Sequence, residues 1–324
     1  MMRNILDINL RAFDGAANTQ TTKLEGLTPE MQTYYDTSLI HAAQPELVHA
    51  QFGQHKPIPA NSGDTIQFRK FSRLGKVTTP LTEGVTPDGQ AITITKIDST
   101  VNQYGGYVTL SDMLQLTAAD PMLTETVIEI GAQAGVSLDT VVREVLNGGT
   151  NVQYAEGQVN SRNALTNEHK LTVKAVKMAI ATLKRANATR IDGDFIAIVH
   201  PDAAFDLTED EAWKAPHEYQ DTTELYEGEI GKIGGCRFVE TTEAKIFGNG
   251  VYSTLVFGAN AYGVTEIAGG GMKTIVKQNG SAGTADPLDQ RATVGWKGVL
   301  AAAILSDEYM VRIEHKSTFN TAAN

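Results

Sequence analysis

Between Asp120 and Asn147 the sequence carries one unbroken helical pattern, and the rest of the chain has to be arranged around it. Asp120 is a good N-cap and Pro121 suits the first helical position, where its missing N–H costs nothing. Apolar residues then recur at Leu123, Val127, Ile130, Ala134, Leu138, Val141 and Val145, in steps of three and four that keep one face buried. Gly148-Gly149 supplies the stop. At 1.5 Å per residue the pattern predicts a rod of roughly 40 Å, long for a globular protein. Gly131 and Gly135 each weaken it by up to about 1 kcal/mol relative to alanine, which points to close packing or a bend. A helix of this length acts as a beam across a fold.

The first sixty residues read as an arm. Asp14 to Thr22 is polar, small and aperiodic. A short helix is expected after Thr28, carrying Met31, Tyr34, Tyr35, Leu39 and Ile40 and stopping before Pro45, with a further helical turn through Leu47 and Val48. Gly63 to Phe71 and Ala91 to Lys96 alternate apolar and polar residues, and the segment between them is dense in turn residues. They predict an extended β-hairpin, which is marginal in water unless it lies on another surface. Arg69, Lys70, Arg73 and Lys76 make it locally basic. Two readings stand for these cations: a charged edge that discourages aggregation, or a clamp onto an acidic neighbouring subunit.

The second half alternates helix and strand. A helix is expected from Thr172 to about Asn187, a buried strand over 194–199, and another helix after Pro201. Strands are expected at 236–240, 253–257 and 273–277, and the tail from Thr293 to Ile313 reads as two strands of a closing sheet. The class is α+β, with no internal repeat.

Little here suggests chemistry. The net charge of −11 lacks the basic face that phosphate contacts require. The single cysteine, Cys236, excludes an internal disulfide and suits a reducing cytoplasm. No signal-peptide run opens the chain, and the most apolar stretch, Val299 to Leu305, is too short to span a bilayer. In Gly271-Met272-Lys273-Thr274 a methionine interrupts the Gly-Lys-Thr ending of a phosphate loop. Gly228 to Gly235 reads as a turn-rich connector. His200-Pro201 sits where a strand feeds a helix, and the histidine reads as a packed or capping residue. His41, His49 and His55 lack zinc-site spacing. Glu209-Asp210-Glu211 diverge around a helix as a solvated face. The sequence nominates no catalytic, cofactor-binding or metal-binding residue.

The order of arm, long hairpin, beam helix and α+β body resembles the tailed-phage capsid fold of the Hong Kong 97 type. Ser111-Asp112-Met113-Leu114, Asp120-Pro121-Met122-Leu123 and Leu138-Asp139-Thr140-Val141-Val142-Arg143 resemble the major capsid family typified by coliphage N4. So do Val199-His200-Pro201-Asp202, the 228–235 run, Arg237 to Thr241, Asp286 to Arg291, and Val294-Gly295-Trp296-Lys297. The resemblance implies an arm over 1–57, an extended loop over 58–108, a peripheral domain with spine helix over 109–165, an axial domain over 166–280, and a return to the peripheral domain over 281–324. It implies a shell of hexamers and pentamers enclosing double-stranded DNA, built in the bacterial cytoplasm. Scaffolding, portal and decoration proteins would be separate chains. DNA would be confined by an acidic wall, not specifically bound. Arg69, Lys70, Arg73, Lys76, Tyr34 and Tyr35 are the expected inter-subunit contacts. A nanocompartment shell of the same fold, holding cargo enzymes, is the alternative.

Overall fold

The computed structural model describes residues 38–39, 42, 47–59, 61, 63–72, 74–118, 122–217, 229–266, 271–281, 286–319 and 321–324. In chain order the elements are α1 (Val48–Gln51), β1 (Gln54–His55), β2 (Thr65–Phe71), β3 (Ile94–Thr100), β4 (Asn102–Ser111), α2 (Asp112–Thr117), α3 (Met122–Leu146) and β5 (Val152–Tyr154). There follow α4 (Val173–Arg185), β6 (Phe195–Val199), α5 (Pro201–Thr208), α6 (Glu211–His217), β7 (Glu229–Ile233) and β8 (Cys236–Glu240). The chain closes with β9 (Ile246–Phe247), β10 (Val251–Phe257), β11 (Tyr262–Thr265), β12 (Lys273–Lys277), β13 (Arg291–Ile304) and β14 (Met310–His315).

The beam is α3. The expected start at Asp120 and Pro121 lies outside the described residues. Its N-terminal half packs Val127, Ile130, Ala134 and Leu138 against Leu110, Ala292, Val294 and Trp296 of one sheet. Its C-terminal half packs Val142 and Leu146 against Ile196, Ile198, Leu255 and Phe257 of the other. The sequence pattern placed Val141 and Val145 on this face; both are only half-buried. Two different sheets receive the two halves, and the second is met by the row running four residues at a time from Leu138.

In the first sheet β13 is flanked along one side by β4, from Arg291↔Ser111 to Leu300↔Asn102, and along the other by β12 and β11, with β1 parallel to β11. The second sheet has the order β5-β14-β10-β6-β8-β7, with β9 against β10. Every residue of β6, β10 and β14 is buried. α4 and α5 cover one face of this sheet through Val176, Ile180, Leu183 and Leu207. The two tail strands expected in one closing sheet therefore lie in different sheets. The break at Ser306 to Tyr309 redirects the chain between them.

The 228–235 run is a second correction. Most of it is β7, which turns through Gly234-Gly235 into β8. Gly231 sits at a bulge and Gly234-Gly235 at a tight turn, while Ile233 joins the core and Ile230 packs against it half-buried; Gly228 lies outside the described residues.

Part of the arm is described. Ser38 and Leu39 are helical as expected, and Leu39 is fully buried. A Cβ on Gly131 would lie 2.7 Å from the Leu39 carbonyl oxygen and 2.8 Å from the Ala42 Cβ. Glycine in the beam is thus a packing requirement of the arm. Next, α1 is tied to the beam by buried hydrogen bonds. His49 Nδ1–H donates to Asp139 Oδ2 at 2.6 Å, its amide donates to Oδ1 at 2.7 Å, and the Tyr262 hydroxyl donates to its carbonyl at 2.5 Å.

Candidate assembly surface

β2 and β3 pair antiparallel from Thr65↔Thr100 to Phe71↔Ile94. Only their root touches the body. Ile66 and Phe68 alternate inward and pack with Ile58, Val101, Ala301 and Leu305. The expected return strand over 91–96 begins later and runs on to Thr100, because only the root has a surface to cover. Every described residue from Leu74 to Lys96 is exposed. Among them are large apolar side chains: Leu81 at 74 %, Val77 at 72 % and Val85 at 63 %, with Leu74, Ile92, Ile94 and the neighbouring Phe71 also open to solvent. Such a concentration on one protrusion costs solubility unless another surface covers it.

The sequence-nominated residues divide. Tyr34, Tyr35 and Arg73 lie outside the described residues. Arg69 and Lys70 lie near the end of β2: Arg69 is exposed, whereas the Lys70 Nζ is 4.0 Å from Glu308 Oε1 and 5.9 Å above the Tyr309 ring. Lys76 stands on the exposed extension. The structure thus gathers Arg69 and Lys70 at the root and leaves Lys76 further out. Sequence reasoning marked the cations and missed the apolar residues beside them. Their signal was present: leucine, valine and isoleucine spaced through a turn-rich segment with no period that would bury them.

A second exposed set borders the first sheet, where Tyr107, Met113, Leu116 and Leu288 stand open. Ser111 caps α2, its Oγ accepting from the Leu114 amide at 3.2 Å, so the Ser-Asp-Met-Leu run serves this rim.

Groups that might have carried chemistry are structural. His200 Nδ1 caps α5 by accepting from the Asp202 amide at 3.1 Å, and burial lowers its pKa. Cys236 is buried, and burial pushes its thiol far above the range in which it ionises. A groove of about 660 Å³ between α4, α5 and the tail is lined by carboxylates already engaged. Glu156 holds Lys174 at 2.6 Å, Glu209 holds Lys214 at 2.8 Å, Asp210 accepts from the Val173 amide at 3.0 Å, and Asp206 accepts from Ser317 at 2.6 Å. Among the described residues no His, Cys, Asp or Glu side chains gather as metal ligands, and no helix is long and apolar enough to cross a membrane.

Solved structures of phage capsids superpose on this fold. The capsid of Ralstonia phage GP4 superposes with a TM-score of 0.68 at 14% identity, covering 95% of this chain and 98% of that one. The capsid asymmetric unit of Cyanophage Pam1 gives 0.65 at 13%, covering 95% and 99%. A virus-like particle from Pyrococcus furiosus gives 0.53 at 11%, covering 88% and 99%. At such identities the likeness is one of fold. No curated sequence matches. The family model described as phage capsid protein matches residues 94–313, from the return strand of the hairpin through β14. That match spans well over half of the sequence, and the chain accordingly belongs to the phage capsid protein family as a major capsid protein, a structural subunit of the head and not an enzyme.

Proposed function

We propose that many copies close into the icosahedral head of a tailed phage, as hexamers and pentamers around double-stranded DNA, in the Hong Kong 97 manner and of the kind typified by coliphage N4. The observation that carries this reading is the hairpin, whose apolar side chains find no cover on their own subunit. Repeated heterologous contacts that close into rings are how such a surface becomes buried. Residues 1–57 are then the arm, 58–108 the extended loop, 109–165 the peripheral domain around α3, 166–280 the axial domain, and 281–324 the return, with β14 lying in the sheet of the axial strands. Arg69, Lys70, Arg73, Lys76, Tyr34 and Tyr35 serve as inter-subunit contacts.

Assembly takes place in the bacterial cytoplasm and the product resides in the virion. Separate scaffolding, portal and decoration proteins are its partners. The charge of −11 suits an inner wall that confines DNA without gripping it. A second reading, a nanocompartment shell, draws support from the likeness to the Pyrococcus particle, although the phage capsids superpose with higher scores. The test is light scattering with electron microscopy on the purified chain, alone and with the scaffolding protein. Closed shells are expected. A chain that stays monomeric with scaffold present sinks the proposal, and a copurifying cargo enzyme in place of DNA decides for the compartment.

A further inference from the structure

The hairpin is electrically polarised along its length. Its outer part, residues 77–93, contains Glu83 and Asp88 and no lysine or arginine. The tip is a turn in which the Val85 amide donates to the Thr82 carbonyl at 3.1 Å, with Gly84 at φ +77°. This places Glu83 at the apex of the protrusion, flanked by exposed Leu81 and Val85. The root carries the opposite sign. There a cleft of about 290 Å³ is lined by Gln54 and Lys56 of the arm, by β2 from Gln67 to Lys70, and by Ile97 and Leu305.

Lys56, Arg69 and Lys70 therefore line a predominantly polar opening, at which Ile97 and Leu305 supply smaller apolar edges. Lys56 lies 5.7 Å above the Phe68 ring and reaches the Gln67 carbonyl at 3.4 Å. Lys70 is 4.0 Å from Glu308, beyond hydrogen-bonding distance. The register also sets Arg69 directly opposite Lys96 across the two strands, both of them exposed. Like charges in that position repel, and the arrangement is favourable once an anion lies over them.

We propose that the tip of one copy seats in the root cleft of a second, with Glu83 and Asp88 against Lys56, Arg69 and Lys70 and the adjoining Leu81 and Val85 against Ile97 and Leu305 at its edge. The proposal rests on the shell reading and supplies a specific contact for it. The complementarity lies within one sequence, yet the tip is fully exposed and does not touch its own root, so only another copy brings the two together. A head-to-tail contact of this kind repeats around a ring.

The test is a charge swap in the full-length chain, with the monomer fold checked by thermal unfolding. Glu83→Lys with Asp88→Lys, and separately Lys56→Glu with Arg69→Glu, should each lower shell yield at least tenfold. All four changes together should recover most of it. A tip-reversed chain that assembles like wild type, or a fourfold variant that does not recover, overturns the proposal. Loss of yield with the cleft changes and none with the tip changes also overturns it and gives the cleft to a different acidic partner. A second measurement needs no shell: chains carrying Glu83→Cys are mixed with chains carrying Arg69→Cys under mild oxidation, the native Cys236 being buried. A mixed disulfide dimer is expected, and its absence counts against the contact. Failure of the wild-type chain to assemble with scaffold would sink the shell reading itself, a result separate from either of these.

Discussion

Glu314 in β14 has a fully buried side chain. Arg162 meets it with two bonds of 2.7 Å, Arg312 with a third of 3.0 Å, and Arg162 also stacks on the Phe247 ring at 3.5 Å. Arg312 in turn donates to the Asn147 and Gly149 carbonyls, which α3 leaves unpaired where it ends. One carboxylate thus ties the last strand to the beam and to the loop before α4. Removing one partner of a buried ion pair is far costlier than its net worth, so Glu314→Gln should destabilise the monomer by about 3 kcal/mol in denaturant unfolding; a loss under about 1 kcal/mol would show that water compensates the guanidinium groups. The adjacent His315 gives a pH signature. Burial lowers its pKa to about 4; its Nδ1–H donates to the Lys316 carbonyl at 2.9 Å and its Nε2 accepts from Thr254 Oγ1 at 2.9 Å, both bonds suited to the neutral ring. The unfolded chain binds this proton near pH 6.5 and the folded chain near 4, so stability is complete above 6.5 and declines as pH falls toward 4. The decline from this group amounts to about 3 kcal/mol, and unfolding measured from pH 7 to 4.5 should show it in wild type and not in His315→Gln.

At the scale of elements, the joint between arm and beam decides whether the chain presents an ordered arm. Alanine for glycine in an exposed helix gains up to about 1 kcal/mol, but at Gly131 the new methyl group meets the Leu39 carbonyl at 2.7 Å. Gly131→Ala should therefore lower the melting temperature and speed hydrogen exchange in residues 47–52, while α3 itself stays helical; unchanged exchange there would mean that the arm repacks without loss. The glycine was legible in the sequence as a packing signal, and its partner was not, because Leu39 is remote in sequence and nothing local pairs the two. The same division holds elsewhere. β8 and β12 have their expected bounds because apolar runs flanked by turn residues define a strand locally. Which sheet a strand joins is a long-range matter, and so β13 and β14 part where one sheet was expected. The expectation of a connector fails from Glu229 onward because its glycine content outweighed Ile230 and Ile233, which pack against the core. At the root of the hairpin, Arg69 and Lys70 were legible as charge. Lys56 was not, since the arm brings it to the cleft only through folding.

The whole molecule separates what folds the subunit from what joins subunits together. The core clusters draw on the root of the hairpin through Ile66, Phe68 and Val101, and on nothing beyond Ile97 toward its tip. The described residues between Leu74 and Lys96 are exposed, so the monomer gains little by carrying them. Deleting residues 75–90 leaves Leu74 and Ala91 to close a shorter turn over an unchanged β2–β3 ladder. The shortened chain should unfold within a few tenths of a kcal/mol of wild type, the usual effect of changing surface residues that have no partner. It should also be more soluble, having lost exposed Val77, Leu81 and Val85. Assembly should nevertheless fail, with light scattering showing monomers or isolated capsomers at concentrations where wild type forms shells. Shells from the shortened chain would mean that the arm and the exposed rim at Tyr107, Met113 and Leu116 suffice to hold neighbours, and the hairpin would lose its role as the clamp. A chain that lost both stability and assembly would place the hairpin in the folding of the subunit, against the exposure of every residue removed.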